Sequence, residues 1–542
     1  MQQQVPRAEY KNGGKIMKVL VSEQIAQKGI EKLTQEGVSV DVKANLSRQE
    51  LLQIIGEYDG LIVRSNTKVN EELYQHAPRL KVVGRAGNGV DNIEMEGATK
   101  RGIVVVNTPE SNVVSAAELT IGLIFATCRN IPQLHSRLKE RVWDRAGLKG
   151  MELQGKTVGI VGLGRIGSLV ATRMKSFGMN IIAYDPYISD ARFKKYGVEK
   201  KEKLEELMAQ CDILTVHTPK TEETYGIIGK EQFKAAKKGL TVINCARAGI
   251  VNEEALIEAM KEKIVKRAGI DVLEGEPHAT SPLLDLDNVI VTPHAGADTV
   301  EAQDNVGITV AQEVISALRG EIVPNAVNLP TLPMQEFDTV KAYLKLGETL
   351  GKMYYQLERE AIEKVEILYR GEVAALETSV ITLAILKGLF EPVLKERINY
   401  VNANVIADSR GVIVTESKES TVKNYLTLIT LKVISKDKEF TISGTTFGKG
   451  ELRILEINGY EFDVNPTPYM VVAENHDKPG VVGQMGTLLG VAKVNIATMQ
   501  LGRKLTEQQA MMVLAVDSVV SQETLDFLGG VEGILRVRFV KI

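Results

Sequence analysis

Residues Val158–Val170 read VGIVGLGRIGSLV: an apolar run breaks at Gly162, Gly164 and Gly167 and resumes with helical spacing. Strand, glycine turn and helix without interruption are the signature of a parallel α/β layer, because the helix has to fold back over the strand it has just left. The helix start also presents unpaired main-chain N–H groups, a ready place for a pyrophosphate. Yet this turn begins at Gly162 of a 542-residue chain, so a substantial unit precedes it.

That unit has the same rhythm. The apolar segments KVLVS, VSVDVK, GLIVRS, KVVGRAG and IVVVNT alternate with helical or turn segments such as Arg48 to Ile55 and Glu71 to His76. They predict parallel α/β layers with connection ends at Arg64-Ser65-Asn66 and Arg85 to Gly89. A long helical pattern, NTPESNVVSAAELTIGLIFATCRNIPQL, leads to a second unit starting at Thr157 with strands TVGIVGLG, NIIAYDP, ILTVHTP, LTVINCA, RAGIDV and VIVTPHA. The helix expected over Thr299 to Arg319 runs back to the first unit. Two α/β units joined by two crossings make a cleft, where ligands of open parallel sheets bind.

A lone glycine triplet is a weak signal, since glycines also serve ordinary tight turns. Here it follows the strand TVGIV and opens a helix at Arg165 and Ile166. A second strand ends in Asp185, near the interval at which a carboxylate accepts hydrogen bonds from ribose hydroxyls. Asp185 is followed by Pro186 and Tyr187, and its charge would repel a 2′-phosphate. NAD is therefore expected over NADP.

Three polar residues stand at the ends of later strands: Arg247 after VINCA, Glu276 in GIDVLEGEP and His294 in VIVTPHAG. Each alone reads as a solvated loop residue. Together, behind a dinucleotide turn, they supply what hydride exchange on a 2-hydroxy acid needs. A histidine moves the hydroxyl proton near neutral pH, an arginine fork grips a carboxylate, and a glutamate orients and tunes the imidazole.

In succession, VGIVGLGRIG, YDP, VHTP, NCARAGIV, GIDVLEGEP and TPHAG resemble the D-isomer-specific 2-hydroxyacid dehydrogenases, over about Met17 to Asn328. The resemblance implies a substrate-binding α/β domain (17–116 and 296–330) interrupted by a Rossmann nucleotide-binding domain (117–295). It also implies that NAD lies against Gly162, Gly164, Arg165, Ile166, Gly167 and Asp185. Asn88, Thr218, Cys245, Ala246, Arg247 and Asp271 follow, then His294, Ala295, Gly296 and Ala297. The catalytic glutamate of the family directly precedes proline, which selects Glu276 over Glu274. Asn88 and the segment HAGADT depart from the family's commoner residues, which touches fine specificity.

LIVRSNTKV and VVGRAGNGVDNI resemble the phosphoglycerate-oxidising branch of that family, whose substrate carries a carboxylate and a phosphate. Arg64, Ser65, Arg85 and Arg247 then become substrate residues. VWDRAGLKG resembles a segment that reaches a neighbouring subunit's active site, adding Arg145 across a dimer. As lone arginines, Arg64 and Arg85 could equally cap ordinary loops.

Past Asn328, LPTLPMQEF is a proline-spaced linker. Lys341 to Ala361 and Val380 to Phe390 read as helices, a strand is expected from Ile362, and LTLITLKVIS and EFTISGTTFG as paired strands. This α+β region (331–465) shows no catalytic set and resembles the intervening regulatory domain of the long-form enzymes. The tail (466–542) gives βαββαβ, a ferredoxin-like plait. With DKPGVVG followed by VNIATM it resembles an ACT domain, which holds an amino-acid effector between paired copies. Asn475, Asp477 and Asn495 are the positions implied for it, although by themselves they are turn and cap residues.

Composition sets outer limits. At 44% hydrophobic and 25% charged residues the chain is ordinary globular material, and a net charge of -3 gives no case for nucleic acid. No apolar run is long enough for a bilayer, and residues 1–16 lack a signal-peptide core and are expected to be a disordered extension. Three unpaired cysteines imply neither a disulfide framework nor a metal site. The resulting expectation is a cytoplasmic, homo-oligomeric NAD-dependent oxidoreductase of D-3-phosphoglycerate. Another D-2-hydroxyacid dehydrogenase, such as a hydroxypyruvate or glyoxylate reductase, and a non-catalytic NAD(H)-sensing protein are the alternatives.

Overall fold

The computed structural model describes residues 11–12, 15–333, 336–394, 397–422, 424–436, 438–448, 450–504 and 508–542. Of the segment expected to be a disordered extension, residues 1–10, 13 and 14 lie outside the described residues. Its described residues Lys11–Asn12 and Lys15–Ile16 pair as a short antiparallel ladder, so part of that segment forms regular structure.

The apolar runs of the first unit form a five-stranded parallel sheet in the order Ser39–Val42, Lys18–Val21, Gly60–Val63, Val82–Arg85, Val104–Val106. The interior strand Gly60–Val63 is buried at all four positions because helices cover both faces. One cover is the helix Val300–Leu318, returning as expected: Val306, Val310 and Val314 fill the core beneath Val19, Val21 and Ile62. It crosses the helix Gln27–Gln35 at two glycines. A Cβ on Gly29 would fall 2.5 Å from the Gly307 carbonyl oxygen, so only glycine lets the two backbones come so close.

The second unit is a seven-stranded parallel sheet in the order Glu199–Lys200, Asn180–Tyr184, Thr157–Val161, Ile213–Val216, Leu240–Asn244, Val265–Ile270, Val289–Val291. The glycine-turn strand Thr157–Val161 is central, and the order reverses beside it, the point at which such sheets open a crevice. The short edge strand Glu199–Lys200 has no apolar pattern and was not expected. The outgoing crossing is the helix Val113–Arg129, whose Ala117, Leu123, Ile124 and Cys128 pack into this second core.

Beyond the linker, the helices Phe337–Glu358 and Ser379–Phe390 lie face to face at glycines. A Cβ on Gly351 or Gly388 would sit 2.3 Å from the opposing main chain. They cover a six-stranded sheet in the order Ile413–Glu419, Lys364–Gly371, Thr427–Ser435, Lys438–Phe447, Glu451–Ile457, Tyr460–Val464. The tail is an antiparallel sheet in the order Ile496–Lys504, Gln509–Val516, Tyr469–His476, Ile534–Lys541, with helices Val481–Val491 and Gln522–Gly529. Period-two alternation splits its strands between two cores. Val471, Ala473, Met512 and Leu514 face the tail's own helices, whereas Met470, Val472, Met511, Val513 and Val540 join the core of the preceding region. Among the described residues no single helix is long and apolar enough to cross a membrane.

Candidate active site

The carboxyl ends of the two parallel sheets face one another across the cleft. A Cβ on Gly89, in the first unit, would lie 2.9 Å from Nη2 of Arg247 in the second.

On the nucleotide side each glycine has its own reason. Gly162 has φ of +92°, and a Cβ there would meet the His217 carbonyl oxygen at 2.8 Å; at Gly167 a Cβ would fall 2.1 Å from the carbonyl oxygen of Gly162. Gly164 faces open space within 4 Å and caps the helix Arg165–Ser176, so its bareness serves something that approaches from outside. Asp185 accepts the Leu163 N–H at 2.9 Å and the Tyr187 N–H at 3.0 Å, one on each oxygen, leaving further lone pairs for ribose hydroxyls. The Thr218 hydroxyl is buried beside Gly162 without a hydrogen-bond partner. These features fit a dinucleotide. Ile166 packs in the core below, and Arg165 pairs with Glu110 at 2.9 Å, an ion pair with both ends exposed.

On the chemical side, Nδ1 of His294 and Oε1 of Glu276 are 2.8 Å apart, both half-exposed to the cleft. Burial alone would raise the Glu276 carboxyl. The hydrogen bond and charge of His294, with the Leu273 N–H and Arg247, outweigh it and hold the group below the usual glutamate range. Glu274 accepts instead from the Tyr225 hydroxyl at 2.9 Å, which separates the two glutamates. His294 adopts φ of +52°, uncommon for a residue with a Cβ, and the turn holding it is bolted to Asp271. Asp271 is 1% exposed and accepts from Thr292 Oγ1 (2.6 Å), Ala295 N (2.8 Å) and Gly296 N (3.1 Å), while its carbonyl accepts the His294 N–H. Its carboxylate therefore supports the histidine turn, a place that proximity in sequence does not reveal. The Ala297 carbonyl accepts from Gln303 at 2.9 Å, closing the same turn onto the return helix.

Asn244 pins the Cys245–Arg247 turn by accepting the Ala246 N–H at 3.0 Å and donating to the Arg247 carbonyl at 3.1 Å. Burial pushes the thiols of Cys128, Cys211 and Cys245 up to about 11, 12 and 12, so none is a thiolate at neutral pH. Arg247 and Arg85 each donate only to a neighbouring carbonyl, of Ala246 and Ala86, and no partner is shown for the Arg64 guanidinium among the described residues. Burial lowers the Arg85 guanidinium to about 10; Glu23 opposes the shift, and the nearby charges of Arg64 and Arg247 add to it. Three cations thus converge, and among the described residues no carboxylate is shown in ion-pair contact with them. Asn88 is exposed in the cleft, its carbonyl accepting from Asn107 at 2.7 Å.

Two expectations concern paired copies, and one chain shows only where their residues stand. Arg145 stays exposed on a projecting segment, Arg141 to Gly150, whose Trp143 is 91% exposed, and it does not join the cleft. The three effector positions do not come together. Asn475 is 2% exposed with its Oδ1 unpartnered, and Asp477 pairs with Arg503 at 3.4 Å, at one end of the tail sheet. Asn495 donates to Asp517 at 2.6 Å at the other end. The register separates the ends by roughly six residues, about 20 Å at ~3.3 Å per residue. The strand that starts after Asn495 runs parallel to Tyr469–His476, so its start cannot lie by the latter's end.

Residues 121–296 match the family described as D-isomer specific 2-hydroxyacid dehydrogenase, NAD binding domain, and residues 339–458 the D-3-phosphoglycerate dehydrogenase intervening domain. The D-3-phosphoglycerate dehydrogenase of Archaeoglobus fulgidus is 44% identical over 97% of this chain and 100% of its own, and that of Bacillus subtilis 40% identical over the same shares. The solved D-lactate dehydrogenase of Aquifex aeolicus, complexed with NAD and lactic acid, matches 58% of this chain and 100% of its own, with a TM-score of 0.52 and 27% identity. On the site geometry and these likenesses over nearly its whole length, the chain belongs to the D-3-phosphoglycerate dehydrogenase family.

Proposed function

We propose that the chain interconverts D-3-phosphoglycerate and 3-phosphohydroxypyruvate with NAD, the entry step of serine synthesis. The observation that carries this reading is the convergence of three guanidiniums, Arg64, Arg85 and Arg247, for which no carboxylate in ion-pair contact is shown among the described residues, beside the His294–Glu276 pair. A 2-hydroxy acid carrying a second anionic group matches that charge; a simple 2-hydroxy acid leaves two of the cations without work.

Bound NAD supplies the acceptor for the hydride that leaves C2. Glu276 holds Nδ1 of His294, so Nε2 is the nitrogen free to take the hydroxyl proton, and the ion pair with Glu276 stabilises the imidazolium that results. Arg247 grips the carboxylate and fixes C2 below the histidine. Arg64, Ser65 and Arg85 take the phosphate. Closure of the cleft about its two crossings excludes water while the charges are exchanged.

We further place Arg145 in a partner's cleft in a homo-oligomer, supported by the exposed Val142 and Trp143 on its segment. An amino-acid effector would be held between tails of two copies, since Asn475 and Asn495 lie at opposite ends of one. The three cysteines are free and buried, in keeping with a cytoplasmic protein.

The test follows NADH oxidation with 3-phosphohydroxypyruvate, hydroxypyruvate, pyruvate and glyoxylate at matched concentrations. A strong preference for the phosphorylated acid is expected. Preference for an unphosphorylated acid would overturn the substrate, and NADH binding without turnover of any would make the chain a sensor.

A further inference from the structure

Glu23 lies two residues past the strand Lys18–Val21, at the carboxyl end of the first sheet, and has no part in the chemistry described above. Its carboxylate is filled by main-chain donors from a single loop: Oε1 accepts from Arg64 N at 2.8 Å and Thr67 N at 3.0 Å, and Oε2 from Asn66 N at 3.2 Å. Asn92 grips the same loop from its other side, donating to the carbonyls of Arg64 at 2.8 Å and Thr67 at 2.6 Å. Ser22 adds a hydroxyl contact to Thr67 at 3.1 Å.

The bookkeeping of this loop is selective. Between Arg64 and Thr67, Glu23 takes every main-chain N–H except that of Ser65. Among the described residues no partner is shown for the Ser65 N–H, the Ser65 hydroxyl or the Arg64 guanidinium, and Ser65 is exposed at the cleft. Carboxylate acceptance from several main-chain N–H groups is a strong, charge-assisted arrangement. It also fixes the loop conformation, because three donors aimed at one carboxylate hold three peptide planes at once. The charge of Glu23 acts on Arg85 as well, opposing the other arginines.

We infer that Glu23 is a positioning residue for phosphate recognition: it folds the Arg64–Thr67 loop around itself so that the Ser65 N–H and hydroxyl and the Arg64 side chain are presented to the substrate's phosphoryl group. The inference rests on the reading that this loop takes the phosphate. It predicts a specificity effect, since an unphosphorylated keto acid uses Arg247 and His294 and is indifferent to the loop.

The test compares wild type, Glu23→Gln and Arg64→Ala by steady-state NADH oxidation with 3-phosphohydroxypyruvate and hydroxypyruvate, with NADH affinity from fluorescence titration. Glutamine keeps the size and one acceptor but turns an NH₂ toward the Asn66 N–H, donor against donor. In Glu23→Gln, KM for the phosphorylated acid should rise about tenfold with kcat within about threefold. NADH affinity should hold, and the preference for phosphorylated over unphosphorylated acid should fall about tenfold. Glu23→Asp, which keeps the charge and both acceptors, should recover part of that preference. An unchanged preference in Glu23→Gln, or an equal rise of KM for both acids, overturns the inference while Arg64→Ala still lowers the preference. If Arg64→Ala leaves the preference intact, the phosphate reading itself fails and the role of Glu23 falls with it.

Discussion

Two substitutions in the same turn should part company. In Gly167→Ala the new methyl carbon would stand 2.1 Å from the carbonyl oxygen of Gly162, against ~3.5 Å for a comfortable contact, so helix and turn must separate by roughly 1.4 Å. That oxygen is backbone and has no rotamer to retreat into. Overpacking of this kind costs about 1–3 kcal/mol, and the displaced helix start also misaims its N–H groups. In Gly164→Ala the methyl meets nothing within 4 Å, and φ of −70° suits alanine, so the protein without cofactor should be as stable as wild type. Its methyl, however, occupies the space left for phosphate. Thermal unfolding without cofactor and NADH titration by fluorescence separate the two effects. Gly167→Ala should lose both stability and binding; Gly164→Ala should keep its melting temperature while NADH affinity falls by about tenfold or more, some 1.4 kcal/mol. Wild-type affinity in Gly164→Ala would refute the assignment of that space to the pyrophosphate, and a wild-type melting temperature in Gly167→Ala would refute the packing argument.

Other expectations follow from the cleft and from the contacts between the units. His294→Ala and Arg247→Ala should lower turnover by about 10²-fold or more with NADH affinity retained, as measured by titration and steady-state rates; near-normal turnover in either would remove its assigned role. The folded Glu276 carboxyl titrates below its usual value of 4.5, so the His294–Glu276 pair contributes fully above that value and is lost as pH falls through the lower, folded one. Nuclear magnetic resonance titration of the Glu276 carboxyl carbon should place its inflection on the acid side of 4.5; an inflection at or above 4.5 would contradict the pairing. Arg397→Ala should loosen the docking of the intervening region, because Arg397 donates to the carbonyls of Leu80 at 3.0 Å and Lys81 at 3.5 Å. The Lys81 carbonyl keeps the Val104 N–H, so the loss falls on the Leu80 carbonyl, and leaving it unsatisfied costs about 1–3 kcal/mol, visible as faster limited proteolysis near residue 400.

The parallel sheets were legible because their strands are buried on both faces and read as unbroken apolar runs bounded by turns. Gly162, Asp185 and the Glu276–His294 pair were legible because each ends such a run. The strand Ile413–Glu419 was not, since it lies exposed at a sheet edge and carries no alternation for burial to imprint. Nor was Ala403–Ser409, too short for a helical period to declare itself. The longer helix was expected to end at Ala361 and stops at Glu358, where Arg359 turns left-handed. In the cleft, Glu23 escaped because its partners are main-chain N–H groups, which leave no trace in residue identity and lie some forty residues away; the anchoring of the histidine turn by Asp271 went unread for a like reason, two of the three donors to its carboxylate being main-chain N–H groups. A relay from buried Glu313 through Asn325 and Asn107 to Asn88 was hidden for the same reason: two of its links end on a carbonyl.

The split alternation of the tail strands has a mechanical meaning. Because Met470, Val472, Met511, Val513 and Val540 are set in the same apolar mass as Tyr354, Phe440 and Ile442, tail and intervening region cannot slide on one another without opening that mass to water. Arg536 and Gln356 lock the seam further, through Glu358 at 2.9 Å and the Lys541 main chain at 2.7 and 2.9 Å. They behave as one lever, and its foot is the Arg397 to Asn402 segment, set against Leu80, Lys81 and Gly102. Those residues lead into Val82–Arg85 and Val104–Val106, strands that run on toward Arg85 and Asn107 in the cleft. The contacts that join the tail and intervening region to the first sheet thus fall at the roots of the strands whose tips bear the substrate-side residues.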